Sequence, residues 1–373
     1  MRGERGRRKI TVAAVQAAPV FLDVEQTIDK VADLVATASR HGADLVAFGE
    51  SFIAGYPLWG GVVPAVGQHS FYEDLVASSL RVPGPHTERL AAIARRFEVT
   101  LSIGINELAP NSTAQVFNTN LVFDRRGDLV NHRRKLVATW YERLTWSHGD
   151  GYDLRPVPID GWSLGVLICG ENTNTLARYA LLAQGEQVHI ASYPPAWPFE
   201  QRDGKPEYDL VDSIRLRAAA HSFEGKVFTV VAATALDAAA LDRVAQGDHE
   251  IARLLTGTPT ASLVVGPRGE VIAGPLVGEE GIVYAELDLQ EAVSLKLAHD
   301  IVGTYNRFDV FQLTMNSTRH IPLTVVGQSA ASARPRADGA RRDQPAERRQ
   351  DDNSGDGSAE PESTESAVGD YHG

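Results

Sequence analysis

From residue 10 to about residue 326 the chain alternates short β-rich runs with longer stretches of helical periodicity, and this alternation constrains its fold more than any other feature. Residues 10–16 (Ile-Thr-Val-Ala-Ala-Val-Gln) read as a strand. Residues 24–41 follow with Val24, Ile28, Val31, Leu34 and Val35 at helical spacing, ending at Gly42. Further strands are expected at 43–50, 99–106, 162–168, 188–192, 227–233 and 281–287, with helices at 86–97, 175–184 and 208–223. A loop rich in Gly, Pro and aromatics fills the stretch from 51 to about 67. Asp124-Arg-Arg-Gly-Asp128 separates strands 118–123 and 129–132, and Pro267-Arg-Gly-Glu270 separates 261–265 and 271–273; both read as hairpin turns. Alternating strands and helices predict a layered α/β fold, and the two hairpins make its sheets mixed rather than wholly parallel. About ten to twelve strands fit the pattern. No repeat of 20 to 50 residues is visible.

Composition narrows the functional classes. The 373 residues, 43% of them hydrophobic, suffice for a proper core in one large domain or two smaller ones. A formal charge of −12 repels phosphate backbones, which argues against nucleic-acid binding. One cysteine excludes an internal disulfide framework and any Cys-rich metal site. The basic residues 1–9 are followed by an apolar run too short for a signal peptide. The longest apolar stretch, 227–236, is about half of what a membrane helix needs. A cytoplasmic protein without membrane partners is expected. Near residue 329 the composition changes: 329–373 holds 6 basic and 10 acidic residues, with Val368 and Tyr371 as its only large apolar ones. Such a segment cannot offset its ordering entropy and reads as a disordered acidic tail, either an interaction tail or a solvated appendage. The expected organisation is a basic extension (1–9), one folded domain (10–328) and the tail (329–373).

Cys169 closes the apolar run Trp162-Ser-Leu-Gly-Val-Leu-Ile168 and precedes Gly170-Glu-Asn-Thr-Asn174, where Asn and Thr are candidate helix caps. A thiol between a strand end and a helix N-terminus sits where the dipole favours its thiolate, as a nucleophile requires. The alternative is a small buried hydrophobe. None of the eleven histidines forms a local Cys/His signature, and no H-E-x-x-H spacing exists, so a histidine base cannot be chosen. Glu50 and Lys135 also end strands, and ligands of open α/β sheets gather beyond the carboxyl ends of strands. Taken singly, either charge reads more readily as a solvated side chain.

Several segments together carry a resemblance: Val12-Ala-Ala-Val-Gln16, Phe48-Gly-Glu-Ser-Phe-Ile-Ala-Gly-Tyr-Pro57, His132-Arg-Arg-Lys-Leu136 with Glu142-Arg-Leu144, Cys169-Gly-Glu-Asn-Thr-Asn174, Leu182-Ala-Gln-Gly-Glu-Gln-Val-His189 and Asp300-Ile-Val-Gly-Thr-Tyr305. In this order they resemble the nitrilase branch of the carbon–nitrogen hydrolase superfamily, from residue 10 to about 313. The resemblance implies a four-layer α-β-β-α sandwich, commonly dimeric and in true nitrilases often extended into spirals. It implies Glu50, Lys135 and Cys169 as catalytic triad, with Glu142 as a second important glutamate. The implied reaction takes a small-molecule nitrile and water to the acid and ammonia through a covalent thioimidate and thioester, with no cofactor and no metal. An amidase of the same superfamily and a cyanide-hydrolysing variant are the alternatives. Tyr56, Trp59, Trp140, Tyr141, Tyr193 and Trp197, with Gly170, are the candidate substrate-binding residues, and the rings read equally as loop or subunit packing. The sequence departs from the common family pattern at Gly49, Ala138, Gly170, Thr304 and Phe308, none of which removes a reactive group.

Overall fold

The central strands are the most apolar segments of the chain, and they assemble into two six-stranded sheets packed face to face. The computed structural model describes residues 9–199, 201–202 and 205–324; the acidic tail expected at 329–373 and all of the basic extension except Lys9 lie outside the described residues. The first sheet contains β1 (Lys9–Gln16), β2 (Leu45–Ala47), β3 (Thr100–Leu108), β4 (Val116–Phe123), β5 (Leu129–Arg134) and, from the far end of the chain, β14 (Gly281–Asp288). Its order is β14-β1-β2-β3-β4-β5. The second contains β6 (Val157–Ile159), β7 (Trp162–Ile168), β8 (Val188–Tyr193), β11 (Phe228–Ala233), β12 (Ala261–Val265) and β13 (Val271–Val277), ordered β13-β12-β11-β8-β7-β6. A short ribbon, β9 (Gln201–Arg202) with β10 (Lys205–Pro206), falls between β8 and β11 in sequence.

In each sheet a parallel core (β1-β2-β3; β7-β8-β11) is flanked by antiparallel strands, so the sheets are mixed as the hairpins predicted. Strand alternation separates the layers. On β1, Val12 and Ala14 join Leu164, Val166, Ile190, Val230 and Val264 between the sheets. Ala13 and Val15 face the other way, against Ile28, Val31 and Val35 of α1 (Val24–Arg40); Leu90 and Ile93 of α3 (Pro85–Phe97) join the same layer. Outside the second sheet lie α4 (Thr175–Ala183), through Ala177 and Leu181, and α5 (Leu210–Gly225), through Leu210, Ile214 and Ala218. The result is the α-β-β-α sandwich. Each fully buried Val or Leu in these layers contributes about 1.5–3 kcal/mol.

Four short helices were not anticipated: α2 (His69–Ala77), α6 (Ala238–Ala245), α7 (His249–Thr256) and α8 (Glu291–Ala298). α2 buries only Phe71 and Leu75 and α8 buries no side chain, so their apolar stripes are weak. α6 and α7 do carry an apolar face, and caps mark both starts: Asp237 accepts from Ala240 N and Asp248 from Ile251 N. The strand expected at 43–50 shortens to Leu45–Ala47, because beyond it the backbone leaves its ladder for the second sheet: Glu50 N donates to Tyr193 O at 3.1 Å. No helix among the described residues is long and apolar enough to cross a membrane.

Candidate active site

Three strand ends deliver the reactive groups to one place. Glu50 lies just beyond β2, and its backbone is clamped by the second sheet, with Thr234 Oγ1 donating to Glu50 O at 3.0 Å. Lys135 follows β5 and stays in register through its own N–H, which donates to Asn118 O. Along β5 the side chains of Asn131, Arg133 and Lys135 share the buried face by alternation. Cys169 follows β7 and opens the 3-10 turn Cys169–Thr173 with φ of +48°. That left-handed backbone costs a non-glycine residue about 1–2 kcal/mol, which the surroundings must offset.

The side chains meet. Lys135 Nζ donates to Glu50 Oε1 at 2.6 Å and to Glu142 Oε2 at 2.6 Å. Asn118 Nδ2 donates to Glu50 Oε1 at 2.7 Å. Cys169 Sγ and a carboxylate oxygen from each of Glu50 and Glu142 all lie within 4.8 Å of one another. Glu142, on the turn Trp140–Leu144, also accepts from Thr139 N at 2.6 Å and Tyr56 OH at 2.8 Å. All four reactive groups are buried.

Burial dominates the electrostatics. It raises the Glu50 carboxyl to about 7, with Lys135 pulling the other way and Glu142 adding to the rise. Oε2 of Glu50 is buried with no hydrogen-bond partner among the described residues, so one lone-pair edge remains for a proton. Burial works against the Lys135 charge, yet Glu142 and Glu50 lift its ammonium well above the usual lysine range. Burial and then Glu50 push the Cys169 thiol well up, against Lys135. The helix-dipole thiolate expected from the sequence gives way to a neutral thiol, because burial and the Glu50 carboxyl outweigh the Lys135 charge. Such a thiol needs a base at the moment of attack.

A third carboxylate sets the spacing. Glu171 receives Arg133 through two bonds of 2.7 Å, Leu136 N at 2.6 Å and Ile168 N at 2.8 Å. One side chain thereby ties the residues flanking Lys135 to the residue before Cys169. Sequence reasoning singled out neither Glu171 nor Arg133; their pairing across 38 positions has no local signal.

Cys169 opens onto a cavity of about 390 Å³, whose lining includes Trp140, Gly170, Trp197, Phe199, Tyr208 and Arg217. Of the expected substrate-binding residues, Trp140, Gly170 and Trp197 line it. Tyr56 lies behind on Glu142, Tyr141 stacks on Trp197 at 4.9 Å, Trp59 stacks on Phe71 at 5.1 Å, and Tyr193 is buried beneath the site. Phe199, Tyr208 and Arg217 were not anticipated; Arg217 Nη2 donates to Tyr208 OH at 2.6 Å. Two departures from the family pattern have steric causes. A Cβ on Gly49 would stand 2.3 Å from Thr234 N, and one on Gly170 would stand 2.9 Å from Thr139 Oγ1.

Comparison with known proteins agrees with the fold. The carbon-nitrogen hydrolase family model matches residues 11–297. An aliphatic nitrilase from Rhodococcus rhodochrous is 36% identical over 336 residues, covering 86% of this chain and 89% of its own. A nitrilase from Paraburkholderia phymatum is 33% identical over 325 residues, covering 87% and 91%. A solved Saccharomyces cerevisiae member of branch 10 of the nitrilase superfamily superposes with a TM-score of 0.61 at 22% identity, covering 80% of this chain and 97% of its own. The sandwich, the convergent strand ends and this match over most of its length together place the chain in the carbon–nitrogen hydrolase family, on its nitrilase branch.

Proposed function

We propose that the protein hydrolyses organic nitriles to the carboxylic acid and ammonia by covalent catalysis at Cys169. The observation that carries this reading is the buried cluster of one thiol, one ammonium and two carboxylates, open to an apolar cavity. Glu50 takes the Cys169 proton as Sγ bonds to the nitrile carbon. The C≡N bond loses one π pair to nitrogen, which takes that proton back from Glu50, leaving a thioimidate and an ionised Glu50. Lys135 donates hydrogen bonds where charge develops, held in place by Glu142. Glu50 then deprotonates a water whose oxygen adds to the thioimidate carbon, and returns that proton to nitrogen. As the added hydroxyl gives up its own proton to nitrogen and becomes a carbonyl, the C–N bond breaks, ammonia departs and a thioester remains. A second water cleaves the thioester, releasing the acid and restoring the thiol.

The rings of Trp140, Trp197, Phe199 and Tyr208 give the cavity walls suited to an aryl or arylalkyl nitrile. Ammonia release across a panel of alkyl, aryl and arylacetonitriles tests both reaction and substrate class. Turnover of the corresponding amides with nitriles left intact would replace this reading with an amidase. Cys169→Ala is expected to abolish ammonia release while the thermal melt stays close to wild type. Retained turnover in that variant would remove Cys169 from the mechanism.

We also propose a homodimer, supported by Leu216 and Phe223 exposed on α5 and Leu176 exposed on α4. Light scattering behind a sizing column tests this, and a monomeric mass would reject it.

A further inference from the structure

Beneath the turn that carries Cys169 lies a second buried polar group that the proposed mechanism does not use. Glu186, His189 and His221 are all shielded from solvent. Glu186 Oε1 accepts from His189 Nδ1 at 2.7 Å, and Oε2 accepts from His221 Nε2 at 2.8 Å. His189 Nε2 donates to Asn172 Oδ1 at 2.9 Å. Asn172 Nδ2 in turn donates to Cys169 O at 3.0 Å and Leu167 O at 3.3 Å. A continuous path of hydrogen bonds therefore runs from a buried carboxylate to the backbone of the nucleophile.

Two features show that this path is more than filler. The fold concedes a glycine for it inside β7, since a Cβ on Gly165 would stand 1.8 Å from Glu186 Oε1. The path also ends on the residue whose backbone is strained, Cys169 at φ +48°. A buried ion pair contributes little net stability compared with apolar packing, so its retention here needs another reason. The trio is not arranged for a metal ion: both carboxylate oxygens and both His189 nitrogens are already committed to hydrogen bonds. Despite burial, His189 and His221 hold the Glu186 carboxyl down at about 2, which keeps it a charged acceptor.

We propose that His189 is a positioning residue for the nucleophile: clamped by Glu186, it orients Asn172, which holds the Cys169 carbonyl and so aims Sγ at the cavity. The inference rests on the reading of Cys169 as nucleophile given above.

Two substitutions separate the arms of the imidazole. His189→Gln keeps a donor near the Nε2 position, facing Asn172, and loses the bond to Glu186. His189→Asn keeps a donor near Nδ1, facing Glu186, and loses Asn172. For the full-length enzyme, kcat and KM are measured with a nitrile the wild type turns over. The rate of Cys169 alkylation by iodoacetamide is measured in parallel, which reports one site because the chain has 1 cysteine. In His189→Asn, kcat is expected to fall about 10- to 100-fold with little change in KM, as when an outer partner of a site is lost. His189→Gln is expected to recover most of that loss, and alkylation rates should follow kcat. Should both variants keep wild-type kcat and alkylation per folded molecule, or lose both in step with folded fraction alone, the positioning role is overturned. If neither folds, Asn172→Asp decides: it keeps the acceptor for His189 but has no donor for the Cys169 carbonyl. It is expected to show the same fall in alkylation, and an unchanged rate overturns the proposal. A wild type that releases no ammonia from any nitrile would sink the nitrilase reading alone, because the alkylation comparison still decides the role of His189.

Discussion

The first sheet buries two glutamates in opposite electrostatic states. Glu50 shares one ammonium with Glu142, accepts one amide bond from Asn118 and leaves Oε2 without a partner among the described residues. Glu107, on β3, accepts from His132 Nε2 at 2.8 Å, Arg134 Nη2 at 2.5 Å, Arg134 Nε at 3.1 Å and Thr119 Oγ1 at 2.7 Å. Burial pushes both carboxyls up. Around Glu107 the His132 and Arg134 donors win and hold it at about 2, whereas Glu50 rises to about 7. Equal burial thus gives a fixed anion in one place and a proton acceptor in the other. The supply of donors decides which residue can serve as a base.

The largest effect that tests this contrast is on turnover. Glu50→Gln is expected to lower kcat by about 10²- to 10⁴-fold, the usual contribution of a general base, without loss of stability. Glu107→Gln is expected to leave kcat within a few-fold while costing about 3 kcal/mol in denaturant unfolding, because it weakens a buried ion pair. Reversed outcomes, with Glu107→Gln inactive but stable, would break the comparison.

Glu171 lies between the two cases, a structural anion placed at the site. Glu171→Gln removes the charge facing buried Arg133. It is expected to cost about 3 kcal/mol and, by loosening the Lys135–Cys169 spacing, about tenfold in kcat. Kinetics and melts on the same preparation check both. Full activity at reduced stability would confine Glu171 to the fold.

The pH dependences sharpen the contrast further, with opposite signs. The His132 and Arg134 donors hold the Glu107 carboxyl at about 2, against an ordinary glutamate value of 4.5. Its stabilisation is complete above 4.5 and is lost as pH falls toward 2, about 3 kcal/mol in all. Glu50, raised to about 7, gives a destabilisation that grows as pH rises from 4.5 through 7. Because only its anionic form can take the thiol proton, kcat/KM is expected to rise with pH through an apparent value near 7. A profile flat from pH 5 to pH 9 would remove Glu50 as base.

Much of the architecture was legible in the chain. Apolar runs such as residues 10–16 and the stripe of α1 gave strands and helices, most of whose ends moved by few residues, the strand at 43–50 being the exception. The short helices α2 and α8 escaped because they bury few or no side chains, while α6 and α7 carried an apolar face and a cap that went unread. Glu50, Lys135 and Cys169 stood at strand ends only as separate candidates; the family resemblance joined them and added Glu142, and the fold brings the four side chains together. Their neighbours Glu171 and His189 lay inside quoted segments but carried no sign of their partners. Arg217 and Tyr208 reach the cavity from a helix and the loop before it, and nothing local marks them.

What the sequence settled by itself was periodicity and residue type: which segments bury two faces, which bury one, and which reactive groups stand at strand ends. The roles of Glu50, Glu107, Glu142, Glu171 and Glu186 were left to the folded molecule. A carboxylate's proton affinity depends on its desolvation and on the donors within about 3 Å, and here those donors arrive from strands, turns and loops up to 86 positions away. Only packing the two sheets together decides which glutamate moves a proton and which merely holds the chain.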